Sequence, residues 1–288
     1  MGFMSGLKAQ KALRLQKNGS LKEAERLYEE AFAEGLNDPR FLLPYALMII
    51  RDGQYQKAKE FLVKHQKAPG MTPSQHTELR VYYATCCLRL GDVDKGVRTL
   101  EQQFRKTETG LLYETLGYLY VVKYDQANRP DFSAAAADEE AEAEAAPDEN
   151  AAAAGSAEGD ESEGENAAPA LSPEEEWNAG VEKAEQFIDS SVEYDDEDPI
   201  CLDNKAQFLY RVRGDKAAAK EWFEKALSFK DSQIDTLYFL SRYDLEAGDK
   251  EAALEKLEKA AGGRFSPLNY CDRETVEREI EQLKGAKA

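Results

Sequence analysis

The sequence predicts an all-α solenoid built from repeated helix–turn–helix units, and three observations carry that expectation. Five glycines, Gly19, Gly53, Gly91, Gly214 and Gly248, are separated by 34 and 38 residues for the first three and by 34 for the last two. Three of them open the same helical stripe: Gly19-x4-Ala24-x3-Tyr28-x2-Ala31, Gly214-x4-Ala219-x3-Phe223-x2-Ala226 and Gly248-x4-Ala253-x3-Leu257-x2-Ala260. Between Gly91 and Gly214 the period is interrupted by a stretch almost free of large apolar residues.

Within each unit the glycine ends one helix, because the tight turn needs a residue that tolerates positive φ. The small-x3-large-x2-small pattern then lies along one face of the next helix, where small residues admit a neighbour and the large one fills the gap. The first unit begins almost at Met1. The second carries His65 at its last small position and ends in a longer turn, Ala68 to Pro73, which accounts for the spacing of 38. The third departs at Gly96 and Gln103. The fourth supplies a first helix around Leu111–Asp125 and then loses the pattern.

From 128 to 172 the chain is mostly Ala, Asp, Glu, Gly and Ser, too poor in apolar groups to offset the entropy of ordering, so a disordered or transiently helical acidic insertion is expected. Packing resumes at Ser172-Pro173-Glu174-Glu175-Glu176, an N-cap with proline at the first helical position and acids in the first turn. Val181-x2-Ala184-x3-Ile188 follows, and Ala179 stands 35 residues before Gly214, which restores the register. The acidic stretch is thus an expanded turn inside one unit. Beyond Gly262-Gly263 a helix near Arg273–Leu283, with Val276, Ile280 and Leu283 among charges, suits a terminal cap. The organisation expected is 1–127 for three units and the first helix of a fourth, 128–172 for the insertion, 173–271 for the rest of that unit and two more, and 272–288 for the cap and tail.

The first helix of a unit is clearest at Tyr113-x2-Leu116-Gly117-x2-Tyr120. This resembles the W-x2-L-G-x2-Y signature of tetratricopeptide repeats, with Tyr for Trp, and the period near 34 is that family's. The chain is identified as a member of that family, of a bacterial cytoplasmic kind. The resemblance implies a right-handed superhelical solenoid of about six units plus a C-terminal capping helix, whose first helices line a concave groove that binds a protein segment or peptide. Carried onto this chain, the family's groove positions are Arg40, Leu43, Leu47, Ile50 and Arg51 in the second unit, and Glu78, Val81, Thr85, Leu88 and Arg89 in the third. The fourth gives Leu111, Glu114, Tyr118, Val121 and Val122, the fifth Asn204, Phe208 and Arg211, and the sixth Tyr238 and Arg242. The paired Asn and Lys with which some members grip a chaperone's terminal carboxylate are not at the corresponding positions of the first two units.

The net charge of −19 is local: residues 131–176 carry 16 of the 56 acids and no Lys or Arg, leaving 40 acids against 37 bases elsewhere. No basic stripe suggests nucleic acid, and no segment has the apolar length of a membrane span. The start of the chain lacks the apolar run and cleavage site of a secretory leader, and Gly6 stands where a myristoylation signal needs Ser or Thr. Cys86, Cys87, Cys201 and Cys271 have no CxxC spacing and are expected to be buried, reduced thiols of a cytoplasmic protein. His65 and His76 fall in different units and suggest no metal site. With no phosphate loop, dinucleotide fingerprint or nucleophile elbow, the expectation is a scaffold without cofactor or catalysis; a sensor of a small peptide is the alternative. The acidic insertion is expected to be either a solvated spacer or a competitor for the protein's own groove.

Overall fold

The computed structural model describes residues 3–133 and 171–285; of the acidic insertion expected over 128–172, residues 134–170 lie outside them. Thirteen α-helices and no strand occur among the described residues. They are α1 (Phe3–Lys17), α2 (Leu21–Ala33), α3 (Pro39–Arg51), α4 (Tyr55–His65), α5 (Pro73–Arg89), α6 (Val93–Phe104) and α7 (Gly110–Lys123), then α8 (Pro173–Tyr194), α9 (Pro199–Phe208), α10 (Lys216–Phe229), α11 (Ile234–Glu246), α12 (Lys250–Ala261) and α13 (Arg273–Gly285). Consecutive helices pack as six pairs, α1–α2 through α11–α12, with α13 against α12. The fold is a solenoid of six helix–turn–helix units with a terminal cap.

The turns form for the reason the glycines suggest. Gly19, Gly53, Gly91, Gly214 and Gly248 all adopt left-handed φ, between 71° and 82°. After four of them the next residue sends its N–H back to a carbonyl five residues earlier, as in Asp92 N to Cys87 O at 2.9 Å, and after Gly214 the Asp215 N–H reaches Leu209 O, six residues earlier, also at 2.9 Å; each bond satisfies a helix-end acceptor. Asp92, Asp215 and Asp249 then cap the following helix through their side chains. Ser172 and Glu175 form a reciprocal capping box at the start of α8.

The stripe on each second helix is the spine of the core. Ala24, Tyr28 and Ala31, Ala219, Phe223 and Ala226, and Ala253, Leu257 and Ala260 have no exposed surface. In α8 the equivalent residues are Ala184, Ile188 and Ser191, the last bonding its hydroxyl to Ile188 O at 2.6 Å. The irregular units are compensated by contacts the sequence does not show. His65 is buried between Phe32 and Phe61 and holds Asn37 Oδ1 at 3.0 Å. Gln103 Nε2 donates to Thr77 Oγ1 at 3.1 Å. A Cβ at Gly96 would come within 2.9 Å of Leu119, so this glycine lets α6 seat against α5 and α7. The buried residues form three successive clusters along the chain, as expected where each unit touches only its neighbours.

Candidate functional site

The N-terminal half of the concave surface is an open trough of about 620 Å³ between α1, α3 and α5. Its floor contains Leu13, Leu43 and Leu47, and Gln16, Gln75, Glu78 and Tyr82 also line it. Asp38 caps Arg40 N at 3.0 Å and Pro39 opens α3, which fixes the phase at which Leu43 and Leu47 face inward. Gln16 Nε2 donates to Pro44 O at 3.0 Å and ties α1 to the same wall. Lys17, Arg40, Arg51 and Arg264 surround this floor, against one acid, Glu78, which accepts from the Tyr82 hydroxyl. Arg40 is paired with Asp38 at 2.6 Å. Burial and the nearby Arg264 guanidinium hold Arg51 below its usual pKa, so two cations approach one another on the trough wall.

Arg264 reaches the second unit because the C-terminal half of the groove is filled by the chain's own connection between α12 and α13. Leu268 packs against the second core cluster and Phe265 against the third. The Tyr270 ring lies 4.8 Å from Phe239 and 5.6 Å from Tyr238, with the Arg211 guanidinium 4.6 Å above it. Tyr270 N donates to Asp235 Oδ2 at 3.0 Å, and Arg273 Nη2 closes the loop on Gly263 O at 2.8 Å.

This arrangement corrects several of the groove positions carried over from the resemblance. Arg40, Leu43, Leu47 and Arg51 do line the trough together. Ile50 and Val81 are buried in the first and second clusters, because their places on the helix face the adjoining unit. Leu88 and Val122 are half-buried against the second cluster, and Arg89 is exposed with its guanidinium 6.0 Å from the Tyr55 ring. Phe208 has no exposed surface. Tyr118 is buried under the filled half beside Arg211, and burial raises its phenol pKa. The last turn of the fifth unit's first helix is π-wound over Leu209–Arg213, and Arg211 within it pairs with Asp125 at 2.7 Å and Gln207 at 2.7 Å. Tyr238 donates to Glu279 of the cap at 2.9 Å, and Arg242 pairs with the same carboxylate. Tyr238 and Arg242 thus tie the sixth unit to the cap.

Under the loop, α7, α9 and the start of α11 enclose a second cavity of about 450 Å³ holding three carboxylates, Glu114, Asp203 and Asp235. Glu114 is one of the groove positions that the resemblance implies, whereas Asp203 and Asp235 are not; the signal available for them is acid at inward-facing first-helix positions. Burial pushes Glu114 up to about 7, helped by the Asp198 carboxylate and countered by Lys230. The folded state therefore keeps a proton that the unfolded chain releases near its ordinary value. Stability from this group is complete at low pH and is lost as pH rises through about 7. Glu114→Gln should accordingly gain on the parent as pH rises: the melting temperatures of the two, measured by calorimetry at pH 5 and pH 8, should differ more in the variant's favour at pH 8.

All four cysteines are buried free thiols, and burial raises Cys86, Cys201 and Cys271 to about 12, which makes them poor nucleophiles. No helix of the described residues is long and apolar enough to cross a membrane.

The comparisons agree with this architecture. The family described as anaphase-promoting complex, cyclosome, subunit 3 matches residues 17–103. No curated protein sequence matches the chain. A thermophilic TPR protein of Thermus thermophilus superposes with a TM-score of 0.55 at 14% identity, over 86% of this chain and 99% of that one. MamA from Desulfovibrio magneticus RS-1 gives 0.51 at 18%, over 81% and 98%. The human IFIT1 dimer with m7Gppp-AAAA gives 0.53 at 17%, over 92% of this chain and 49% of that one. By its repeats and these superpositions the chain has the fold of tetratricopeptide repeat proteins.

Proposed function

We propose that the chain is a non-catalytic scaffold that binds a protein segment in the open N-terminal half of its groove. The observation that carries this reading is the trough itself, where Leu43 and Leu47 form an apolar floor beside Arg51 and Arg264. An apolar centre with cationic edges suits an amphipathic, acidic segment: its apolar side chains cover the leucines and its carboxylates meet the guanidiniums. Family precedent supports the same reading, since tetratricopeptide repeats are generally non-catalytic scaffolds.

Affinity purification from the source cell with the parent and a Leu47→Asp variant tests it. Leu47 is half-buried at the trough, so the variant should keep its helical content, which circular dichroism checks. The leading partner should bind the variant at least about tenfold more weakly in a direct titration, about 1.4 kcal/mol, and its binding to the parent should weaken with added salt. Identical partners and affinities for the two proteins would overturn the assignment. Recovery that depends on RNA, lost on ribonuclease treatment, would replace a protein segment with nucleic acid as the ligand.

A further inference from the structure

Each wall of the inner cavity contributes to a common chemistry. Leu111, Ile200, Ile234 and Leu268 supply apolar surface, while Glu114, Asp203 and Asp235 supply acid. The three carboxylates differ in how they are satisfied. Asp203 accepts from Thr236 Oγ1 at 2.6 Å and from Gln207 Nε2 at 2.7 Å, so both its oxygens are engaged. Asp235 accepts from Tyr270 N through Oδ2, but Oδ1, fully enclosed, has no hydrogen-bond partner among the described residues. The Asn269 side chain faces this carboxylate and favours its charged form, yet closes no hydrogen bond on Oδ1. Asp235 is only 4% exposed. A buried carboxylate oxygen left without a donor is costly, and the Tyr270 amide satisfies Oδ2 alone.

The neighbouring cations do not neutralise this site. Arg211 is committed to Asp125 and Gln207 and stacks on Tyr270. Lys230 and Arg264 line the cavity but are themselves exposed. Burial raises the pKa of both Asp203 and Asp235, and their mutual repulsion adds to it for Asp235. A ligand that brings positive charge and hydrogen-bond donors to Asp235, with an aliphatic stem against the leucine and isoleucine walls, would match the whole cavity. Its volume falls within the range of small-molecule pockets, roughly 300–1,000 Å³.

We infer that the cavity beneath the α12–α13 loop is a binding site for an alkyl-ammonium or alkyl-guanidinium group, with Asp235 as its principal acceptor and Glu114 and Asp203 as further carboxyl groups of the same lining. Such a group has two sources, a free aliphatic amine or the Lys or Arg side chain of a bound segment. The site lies apart from the Leu43–Leu47 trough and stands whether or not that trough binds a partner.

Isothermal titration of the full chain with 1,5-diaminopentane, with N-acetyl-arginine amide and with a short arginine-containing peptide tests the inference. Pentanol serves as the uncharged control. At least one of the cationic probes should bind and raise the melting temperature, and pentanol should do neither. Asp235→Asn should weaken that binding at least tenfold while retaining the melting temperature of the parent, since the amide still accepts from Tyr270 N. Leu47→Asp should leave amine binding unchanged, which separates this site from the trough. Tightest binding of the diamine assigns a small-molecule source, and tightest binding of the peptide assigns a partner's side chain. Absence of binding by all three cationic probes up to about 10 mM, or equal affinity in parent and Asp235→Asn, would overturn the inference.

Discussion

Replacing Phe223 with alanine is expected to remove about 3–5 kcal/mol of stability. The ring has no exposed surface, stacks on Phe239 with centroids 5.1 Å apart and planes 13° apart, and meets Tyr210 edge-on at 6.4 Å. Its helical neighbours Ala219 and Ala226 are themselves fully buried and too short to move into the space. The void therefore stays largely open, which places the cost toward the upper end of the range. Because a solenoid is held together unit by unit, the loss falls on the interface between the fifth and sixth units. Phe239, on the far side of the ring, also touches Tyr270 at 4.8 Å, so the loop that fills the groove should loosen with it. Denaturant unfolding followed by circular dichroism should show an early transition for the C-terminal units ahead of the rest. A single transition shifted by less than about 1 kcal/mol would show that Phe223 is not the keystone its burial implies.

The period was legible in the sequence because its physical cause repeats locally. Every second helix must offer small-large-small to its neighbours, and every turn before it must tolerate left-handed φ, so Gly19 and Gly214 announce themselves without knowledge of the rest of the chain. The irregular positions were legible only as departures. What restores packing at His65 is Asn37, 28 residues away, and what restores it at Gln103 is Thr77, 26 residues away. No local pattern contains either partner.

The groove was legible by half. Arg40, Leu43, Leu47 and Arg51 follow from the first-helix register of one unit, and they share the trough. Tyr118, Phe208 and Tyr238 occupy the corresponding register in later units, yet their exposure is decided by the curl of the solenoid and by where the residues after Ala261 go. That course is set by long-range contacts: Tyr270 with Asp235, Arg211 with Tyr270, and Leu268 with the second core cluster. The composition of the connection, with Phe265, Leu268 and Tyr270 in a segment read only as the approach to the cap, was the signal available. Three large apolar side chains between two helices require a surface to cover, and the nearest unfilled one is the concave face.

Gly180→Ala is the second large effect, and here two opposing terms must be weighed. Alanine in a helix interior is favoured over glycine by roughly 1 kcal/mol. Against that, a Cβ at position 180 would lie 2.6 Å from Tyr124 Cζ and 2.8 Å from Cε1, well inside contact distance. The tyrosine cannot retreat easily, for it is buried, packs edge-on against Trp177 at 5.2 Å and stacks with Tyr120 at 6.4 Å. Overpacking of this kind costs about 1–3 kcal/mol and sometimes more, and a clash with a hemmed-in ring belongs at the top of that range, so a net loss near 2 kcal/mol is expected. Helices α7 and α8 are the halves of one unit separated by the long insertion, so their adhesion depends on this contact rather than on a short turn. The decisive measurement repeats the substitution in a Tyr124→Ala background, where the ring is gone. There Gly180→Ala should stabilise by roughly the helix-propensity term, a reversal of sign that only the Tyr124 contact can produce. An equal loss in both backgrounds would place the cost elsewhere in α8 and remove Gly180 from the account of how the interrupted unit closes.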